Sequence, residues 1–311
     1  MKIKRNLIVC TLAGLLGGSF AQATLIATES FQTTADGAGG TYDDGSNFNA
    51  GINQDVVVGN SGFSDTKVWQ HGTSALSPIN DAGLSTGLSH NGLVNTAMSG
   101  TAILRPFQAG SNRRVARELA STPVTASSYY MSALFEGYTD TISGDKVATI
   151  GLIDGAGSST VADFADGIHA GFARDVDTTY LSAWAGNTRY DLLEIDELND
   201  DVTYQVLLQL DVDASGNEFF TAGYAANGAS AFTFTHSAVD VGDIWSTSSD
   251  LGYLILQARA RGTEQDIMGF ADEFYFGTSM AEVTAIPEPS QFSMCIGFAV
   301  FYMLFSFRRG K

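Results

Sequence analysis

Between Thr24 and Ile286 no stretch sustains a helical period between caps, and that constrains the fold more than any motif in the chain. Short β-rich runs recur instead, each closed off by Gly, Ser, Thr, Asn or Asp. Ser128–Tyr138 reads SYYMSALFEGY, Lys146–Asp154 KVATIGLID, Gly167–Asp175 GIHAGFARD and Thr179–Gly186 TYLSAWAG. The longest run, VTYQVLLQLDVD over Val202–Asp213, is followed across a tight turn by NEFFTAGYA, and LGYLILQARA and IMGFADEFYFG complete the set. β-Branched and aromatic side chains suit a pleated, half-buried surface, and many short strands at this spacing predict an all-β sandwich. Helix is expected only in short pieces, over Asn112–Leu119 or Asp191–Leu198. The Gly-, Asn- and Ser-rich stretch from Asp36 to Gly110 reads as long loops or extra edge strands. No fixed-period repeat and no proline-rich linker precede Glu282, so residues 24–284 are expected to form one domain.

The two ends differ in kind from this body. The first 23 residues place Lys2, Lys4 and Arg5 ahead of an apolar stretch from Leu7 to Gly18. They close on Ala21-Gln22-Ala23, which predicts a signal peptide cut by signal peptidase after Ala23, with Ala21 and Ala23 marking the cleavage site. The protein is therefore expected to be exported. Its two cysteines, Cys10 and Cys295, both lie in the end segments, so no disulfide staples the body and stability must come from its core. Three of the 16 basic residues fall in the leader and three in the tail, and one of the 34 acidic residues falls in the tail. The body then has 10 basic against 33 acidic residues, a formal charge of −23. Such a charge repels nucleic acid and anionic lipid headgroups, and no nucleic-acid partner is expected.

The tail, residues 285–311, carries Pro287-Glu288-Pro289, a 17-residue apolar span over Gln291–Phe307, and Arg308, Arg309 and Lys311. As a helix that span is about 26 Å long, at the lower limit for crossing a bilayer. The positive-inside bias keeps its basic end cytoplasmic, so export puts Pro287-Glu288-Pro289 on the outer face. The two prolines hold the triplet extended. In order and content this resembles the PEP-CTERM sorting signal, with Pro287, Glu288, Pro289, Arg308 and Arg309 as the signal residues. The resemblance implies transient inner-membrane anchoring, recognition and cleavage by an exosortase, and a destination in the cell envelope or extracellular matrix. The body opens LIATESF (Leu25–Phe31) and closes GFADEFYFGTSMAEVT (Gly269–Thr284), with Thr203-Tyr204 beginning its longest strand. In these features it resembles the concanavalin A-like, LamG-type jelly-roll domains. That resemblance implies an all-β jelly-roll sandwich whose first and last strands lie together, flanked by an N-terminal signal helix and a C-terminal transmembrane helix.

Chemistry is sparse in the middle of the chain. LLEIDELND (Leu192–Asp200) is compared with the carboxylate pattern of concanavalin-like glucanases, in which Glu194 is the candidate nucleophile and Asp196 its helper. The acid/base position then falls on Asn199, which cannot titrate, or on Asp200, shorter than Glu by a methylene. Retaining hydrolysis needs its two carboxyl groups ~5–5.5 Å apart. With that pattern incomplete, no catalytic residue is assigned and no enzyme is expected. DVDASGNE (Asp211–Glu218) begins like a calcium loop, but Ala222 stands where Glu is needed, and a hairpin turn on Ser-Gly-Asn is the better reading. A structural Ca2+ of the concanavalin-like kind is expected at Asp272, with Glu29 nearby. His71, His90, His169 and His236 lack metal-ligand spacing and read as structural or exposed. Trp69, Trp184 and Trp245 are candidates for a sugar-stacking platform or for the core. The expected role is binding or structural, in contact with extracellular polysaccharide; a glycan-active hydrolase or lyase on the same fold is the rival.

Overall fold

The computed structural model describes residues 25–29, 31, 70–71, 87–90, 93–94, 101–104, 112–120, 127–137, 145–153, 167–194, 202–242, 244, 252–260 and 268–284. In chain order the strands are β1 (Leu25–Glu29), β2 (Gln70–His71), β3 (Ser89–His90), β4 (Leu93–Val94), β5 (Ala102–Leu104) and β6 (Asn112–Glu118). Next come β7 (Ser128–Gly137), β8 (Lys146–Ile153), β9 (Gly167–Asp175), β10 (Thr178–Ala185), β11 (Thr188–Glu194) and β12 (Tyr204–Val212). The last are β13 (Glu218–Ala226), β14 (Thr233–Phe234), β15 (Val239–Gly242), β16 (Tyr253–Ala260) and β17 (Gly269–Gly277), followed by one helical turn, α1 (Met280–Val283). An eight-stranded sheet runs β1-β17-β7-β12-β13-β14, with β15 on β13 and β5 on β17; a seven-stranded sheet runs β11-β10-β9-β8-β16-β6-β2. β3 and β4 form a separate small hairpin.

The two sheets share one core. Met131, Ala133 and Phe135 of β7, Val206, Leu208 and Leu210 of β12, and Phe274 and Phe276 of β17 meet Ile150, Leu152, Ile168, Phe172, Leu181, Leu254 and Leu256 of the other sheet. Strand periodicity sends every second side chain inward, which is the alternation read in the sequence. Between the sheets lies an ion pair: Arg117 Nη1 of β6 stands 3.0 Å from Glu29 Oε2 of β1, with side chains 1% and 0% exposed. The Phe31 amide donates to the other Glu29 oxygen (3.1 Å), so the carboxylate serves both sheets.

β1 pairs antiparallel with β17, Leu25 facing Gly277 and Glu29 facing Phe274, so the body's two ends lie side by side as the resemblance implied. The outward row of the eight-stranded sheet, Asp272, Leu134, Gln205 and Ala225, is covered. The Leu88 amide donates to Asp272 Oδ2 (2.9 Å), and His90 Nε2 donates to the Ala225 carbonyl (2.9 Å). From the other side the Val283 carbonyl accepts from Gln205 Nε2 (3.0 Å) and from Ser132 Oγ, which seats α1 on the sheet.

Two expectations change. Asn112–Glu118 is strand β6, because its charged residues pair across β16 rather than line a helix face. Asp191–Glu194 ends strand β11, and residues 195–200 lie outside the described residues. The expected signal helix and transmembrane helix, with Ala21, Ala23, Pro287, Glu288, Pro289, Arg308 and Arg309, also lie outside them. Among the described residues no helix is long and apolar enough to cross a membrane.

Candidate functional site

The outward face of the seven-stranded sheet follows from register. Ile255, Gly151, His169, Trp184 and Arg189 form one cross-strand row through β16, β8, β9, β10 and β11. Beside it runs Gln257, Thr149, Gly171, Ser182 and Asp191, and then Val147, Ala173, Tyr180 and Glu194. This face is polar yet closed: His169, Thr149 and Ser182 are 0% exposed, and Gln257 is 2% exposed. Thr149 Oγ1 is buried without a hydrogen-bond partner, an orphan that the core does not require.

Three glycines shape the middle of the face. A Cβ on Gly151 would stand 2.2 Å from the Ile168 carbonyl oxygen and 2.8 Å from His169 Cγ. One on Gly167 would meet the Leu152 carbonyl oxygen at 2.2 Å and His169 Nε2 at 3.1 Å, and one on Gly171 the Ala148 carbonyl oxygen at 2.1 Å. Only residues without side chains let β8 and β9 approach this closely while the imidazole lies against them. Trp184, opposite His169, is 3% exposed and packs with Ala173 and Val147, so it serves as core rather than as an open stacking platform. Trp69 and Trp245 lie outside the described residues.

At the β11 edge the face opens. Arg189 binds Asp175 through Nη1–Oδ1 at 2.8 Å and through a second contact from Nη2 to Oδ2. It also holds Asp191, with Nε 2.8 Å from Oδ1, and stands 5.5 Å from the centre of the Tyr180 ring. Ser182 Oγ donates to Asp191 Oδ1 at 2.8 Å. The hydrogen bond from Arg189 holds the Asp175 carboxyl below its ordinary range, and the same pairing pushes the guanidinium up.

The residues singled out from sequence fall elsewhere. Glu194 is the exposed last residue of β11, opposite Tyr180, and Asp196 lies outside the described residues. Glu29 reaches between the sheets to Arg117, whereas Asp272 accepts from the Leu88 and Glu273 amides. Their oxygens therefore meet protein donors, and among the described residues no group of three or more His, Cys, Asp and Glu is arranged to hold a metal. Asp213 closes the β12–β13 hairpin by accepting from the Ser215 and Asn217 amides (2.7 and 2.9 Å), the turn expected there. Thr149, Ser182, Gln257 and the three glycines went unread in the sequence. Their one signal is Gly167-x-His169-x-Gly171, three small or polar residues at strand spacing.

No family model matches the sequence, and no curated protein matches it. Among solved structures, the chain is similar to the endo-β-1,4-glucuronan lyase of the fungus Trichoderma reesei, with 11% identity, a TM-score of 0.40, and coverage of 71% of this chain and 98% of that one. It is also similar to the PL-14 alginate lyase of Aplysia kurodai, with 11% identity, a TM-score of 0.39, and coverage of 64% and 86%. An engineered GH43 glycoside hydrolase matches at 11% identity and a TM-score of 0.43, over 83% of this chain and 41% of its own. At such identities the likeness is one of fold, that of antiparallel β-sandwiches. These neighbours are enzymes, against the expectation of no enzyme, and their likeness to this chain is one of fold alone.

Proposed function

We propose that the chain is an exported glycan-active enzyme, and that the outward face of its seven-stranded sheet around His169 is where sugar residues are bound and turned over. The observation that carries this is the buried polar row itself. A sheet face that only covered apolar neighbours would be apolar, whereas this one holds an imidazole, an amide and two hydroxyls over a floor of glycine. Sugar hydroxyls both donate and accept, as do Ser182, Thr149 and Gln257. His169 is the candidate acid–base group, because an imidazole transfers protons near neutral pH. It is buried, so substrate access requires this face to open. Arg189 holds Asp175 as an anion that positions rather than donates a proton, and fixes Asp191 beside it. Leader and tail complete the reading: signal peptidase cuts after Ala23, and an exosortase acts at Pro287-Glu288-Pro289.

Incubation with a panel of neutral and acidic polysaccharides tests the proposal. New reducing ends are expected, and an accompanying unsaturated sugar would assign elimination rather than hydrolysis. His169→Gln is expected to lower turnover by about 10²–10⁴-fold with the fold intact. A folded His169→Gln variant with unchanged turnover would sink the acid–base assignment, and a panel neither bound nor degraded would sink the glycan reading. Intact-mass analysis of secreted protein should show loss of both end segments.

A further inference from the structure

We infer that the glycan enters this face at the β11 edge, where the outer side of the Arg189 guanidinium, backed by the Tyr180 ring, packs against a pyranose that carries no acidic group. The inference deepens the glycan reading and rests on it. It starts from the part of the face that is accessible. His169, Thr149 and Ser182 are closed over, whereas the side chain of Arg189 is 25% exposed, that of Asp191 40% and that of Asp175 56%. Tyr180 is half-buried beside them, and Glu194, opposite it, is exposed.

Arg189 is gripped on two sides. Nη1 and Nη2 each donate to one oxygen of Asp175, Nη2 also donates to Asp191 Oδ2 (3.1 Å), and Nε stands 2.8 Å from Asp191 Oδ1. Of the five N–H donors of a guanidinium, four are then directed at carboxylate oxygens. Asp191 is fixed in turn by the Ser182 hydroxyl. A guanidinium so engaged has no fork left for a substrate carboxylate or sulfate. What it offers is its plane, kept in one orientation over the Tyr180 ring. Such a planar, weakly hydrated cation stacks on flat surfaces, and the C–H side of a pyranose presents one.

Charge then selects the sugar. Among the described side chains at this edge, Asp175, Asp177, Asp191 and Glu194 stand against Arg189. Arg174 and Lys146 share the inward register of Phe172 and Ala148, and Arg174 donates there to Thr179 Oγ1 (3.2 Å). The basic positions of β16 and β6 lie four or more strands from β11. That is about 19 Å or more, against a Debye length of about 8 Å at physiological salt. An acidic sugar is repelled at such an edge, and an uncharged one is not.

The edge is also curved. Register puts Arg189 opposite Trp184 and Asp175 opposite Thr178. Those positions are about 20 Å apart along an extended strand. The two side chains meet because the end of the β9–β10 hairpin curls over the outward face. Val176, in its turn, is held at φ 37°, a conformation that β-branched residues rarely adopt. It is 68% exposed, so packing does not impose this; the Asp175–Arg189 contact beside it does. His169 and Arg189 flank Trp184 in one cross-strand row, about 10 Å apart, so neighbouring sugars of one chain can meet both.

Affinity electrophoresis of the full chain through hydroxyethylcellulose, arabinoxylan, galactomannan, laminarin and polygalacturonate decides. Retention by a neutral polymer, indifferent to salt and stronger than by polygalacturonate, is expected. Arg189→Lys keeps the charge but loses the plane, and Tyr180→Ala loses the backing. Each should weaken retention about tenfold, whereas Tyr180→Phe should not. On any polymer that is turned over, the first two should raise KM and leave kcat, because a stacking subsite holds ground and transition state alike. A merely structural contact would not give that split. Should Arg189→Lys fail to fold, the two Tyr180 variants carry the test. Neutral-polymer retention unchanged by Arg189→Lys and Tyr180→Ala, or retention by polygalacturonate alone, would overturn the subsite and leave the glycan reading standing. No binding and no turnover on any polymer would remove both.

Discussion

On the eight-stranded sheet the outward row of Asp272, Leu134, Gln205 and Ala225 is capped by chain from both directions, with Leu88 and His90 on one side and Val283 on the other. On the seven-stranded sheet the outward row of Gly151, His169 and Trp184 is built around glycine and flanked by polar side chains. Inward, the two sheets obey the same alternation and fill one core with Leu, Ile, Phe and Ala. The difference therefore lies wholly in what the outward half of each strand carries. One sheet has that half fastened by other segments of the chain; the other keeps glycine, an imidazole, hydroxyls and the Arg189 pairing. A fold needs the first arrangement, and nothing in folding asks for the second, so function is sought on the second sheet.

The largest expected effect comes from cutting the link between the sheets. Arg117→Met leaves Glu29 buried without its cation, and the loss should be about 3–5 kcal/mol by equilibrium denaturation. Adding Glu29→Met to the same chain removes the stranded charge and should restore much of that loss. A single variant as stable as the parent would show that the sheets hold together by apolar packing alone.

A smaller effect compares glycines on the two sheets. Gly151→Ala pushes a methyl against the Ile168 carbonyl at 2.2 Å, in the middle of the β8–β9 pair where backbone must move. Gly223→Ala meets the Phe234 ring at 2.7 Å and the Thr233 carbonyl oxygen at 2.8 Å, but both belong to the two-residue edge strand β14, where Phe234 is 45% exposed and the short strand has room to shift outward. Overpacking typically costs about 1–3 kcal/mol, and Gly151→Ala should lie at or above the top of that range with Gly223→Ala below it. Thermal melts of the two variants reversed in order would break the claim that glycine is structural to the His169 face.

Much of this division was written in local sequence, and the part that was missed is long-range. VTYQVLLQLDVD read as the longest strand because Tyr204, Val206, Leu208 and Leu210 alternate inward while Leu207 is also apolar, as a strand covered on both faces requires. The turn at Asp213 was legible because an Asp with Ser-Gly-Asn behind it satisfies amides two and four residues on. Asn112–Glu118 admitted a helix because its charges and apolar residues fit either period over seven positions; only pairing with β16 and β2 decides. Glu29 and Asp272 were read as a calcium site near the joined ends, and local sequence could not show that Glu29 pairs with Arg117, 88 residues away on the facing sheet. His169 was dismissed with the other histidines, because a buried imidazole and an exposed one look alike until the glycines beside it are seen to share its face.

The smallest effect is the most pointed, because the two sheets should answer acid with opposite signs. Glu273 sits at φ 47° in the β17 bulge, buried, with Tyr275 Oη as its donor. Burial first, and then the Glu29 charge, push its carboxyl above the ordinary value of 4.5. A carboxyl raised in the folded state binds its proton there first, so Glu273 costs stability at neutral pH. That cost is relieved as pH falls through the raised value, and relief is complete below the unfolded one. Asp175 is the reverse. The Arg189 hydrogen bond holds it below its ordinary 3.8, so its contribution is present above that value and is lost as pH falls through the folded one. Glu273→Gln should therefore raise stability at pH 7 and gain progressively less as pH drops toward the carboxylate range. Asp175→Asn should lower stability slightly at pH 7, its pair with Arg189 being half exposed, and match the parent in acid. Urea denaturation of both variants at several pH values measures the slopes directly. Slopes of the same sign would mean that these two carboxyls, one strained in a bulge and one clamped at an open edge, do not carry the electrostatic difference between the sheets.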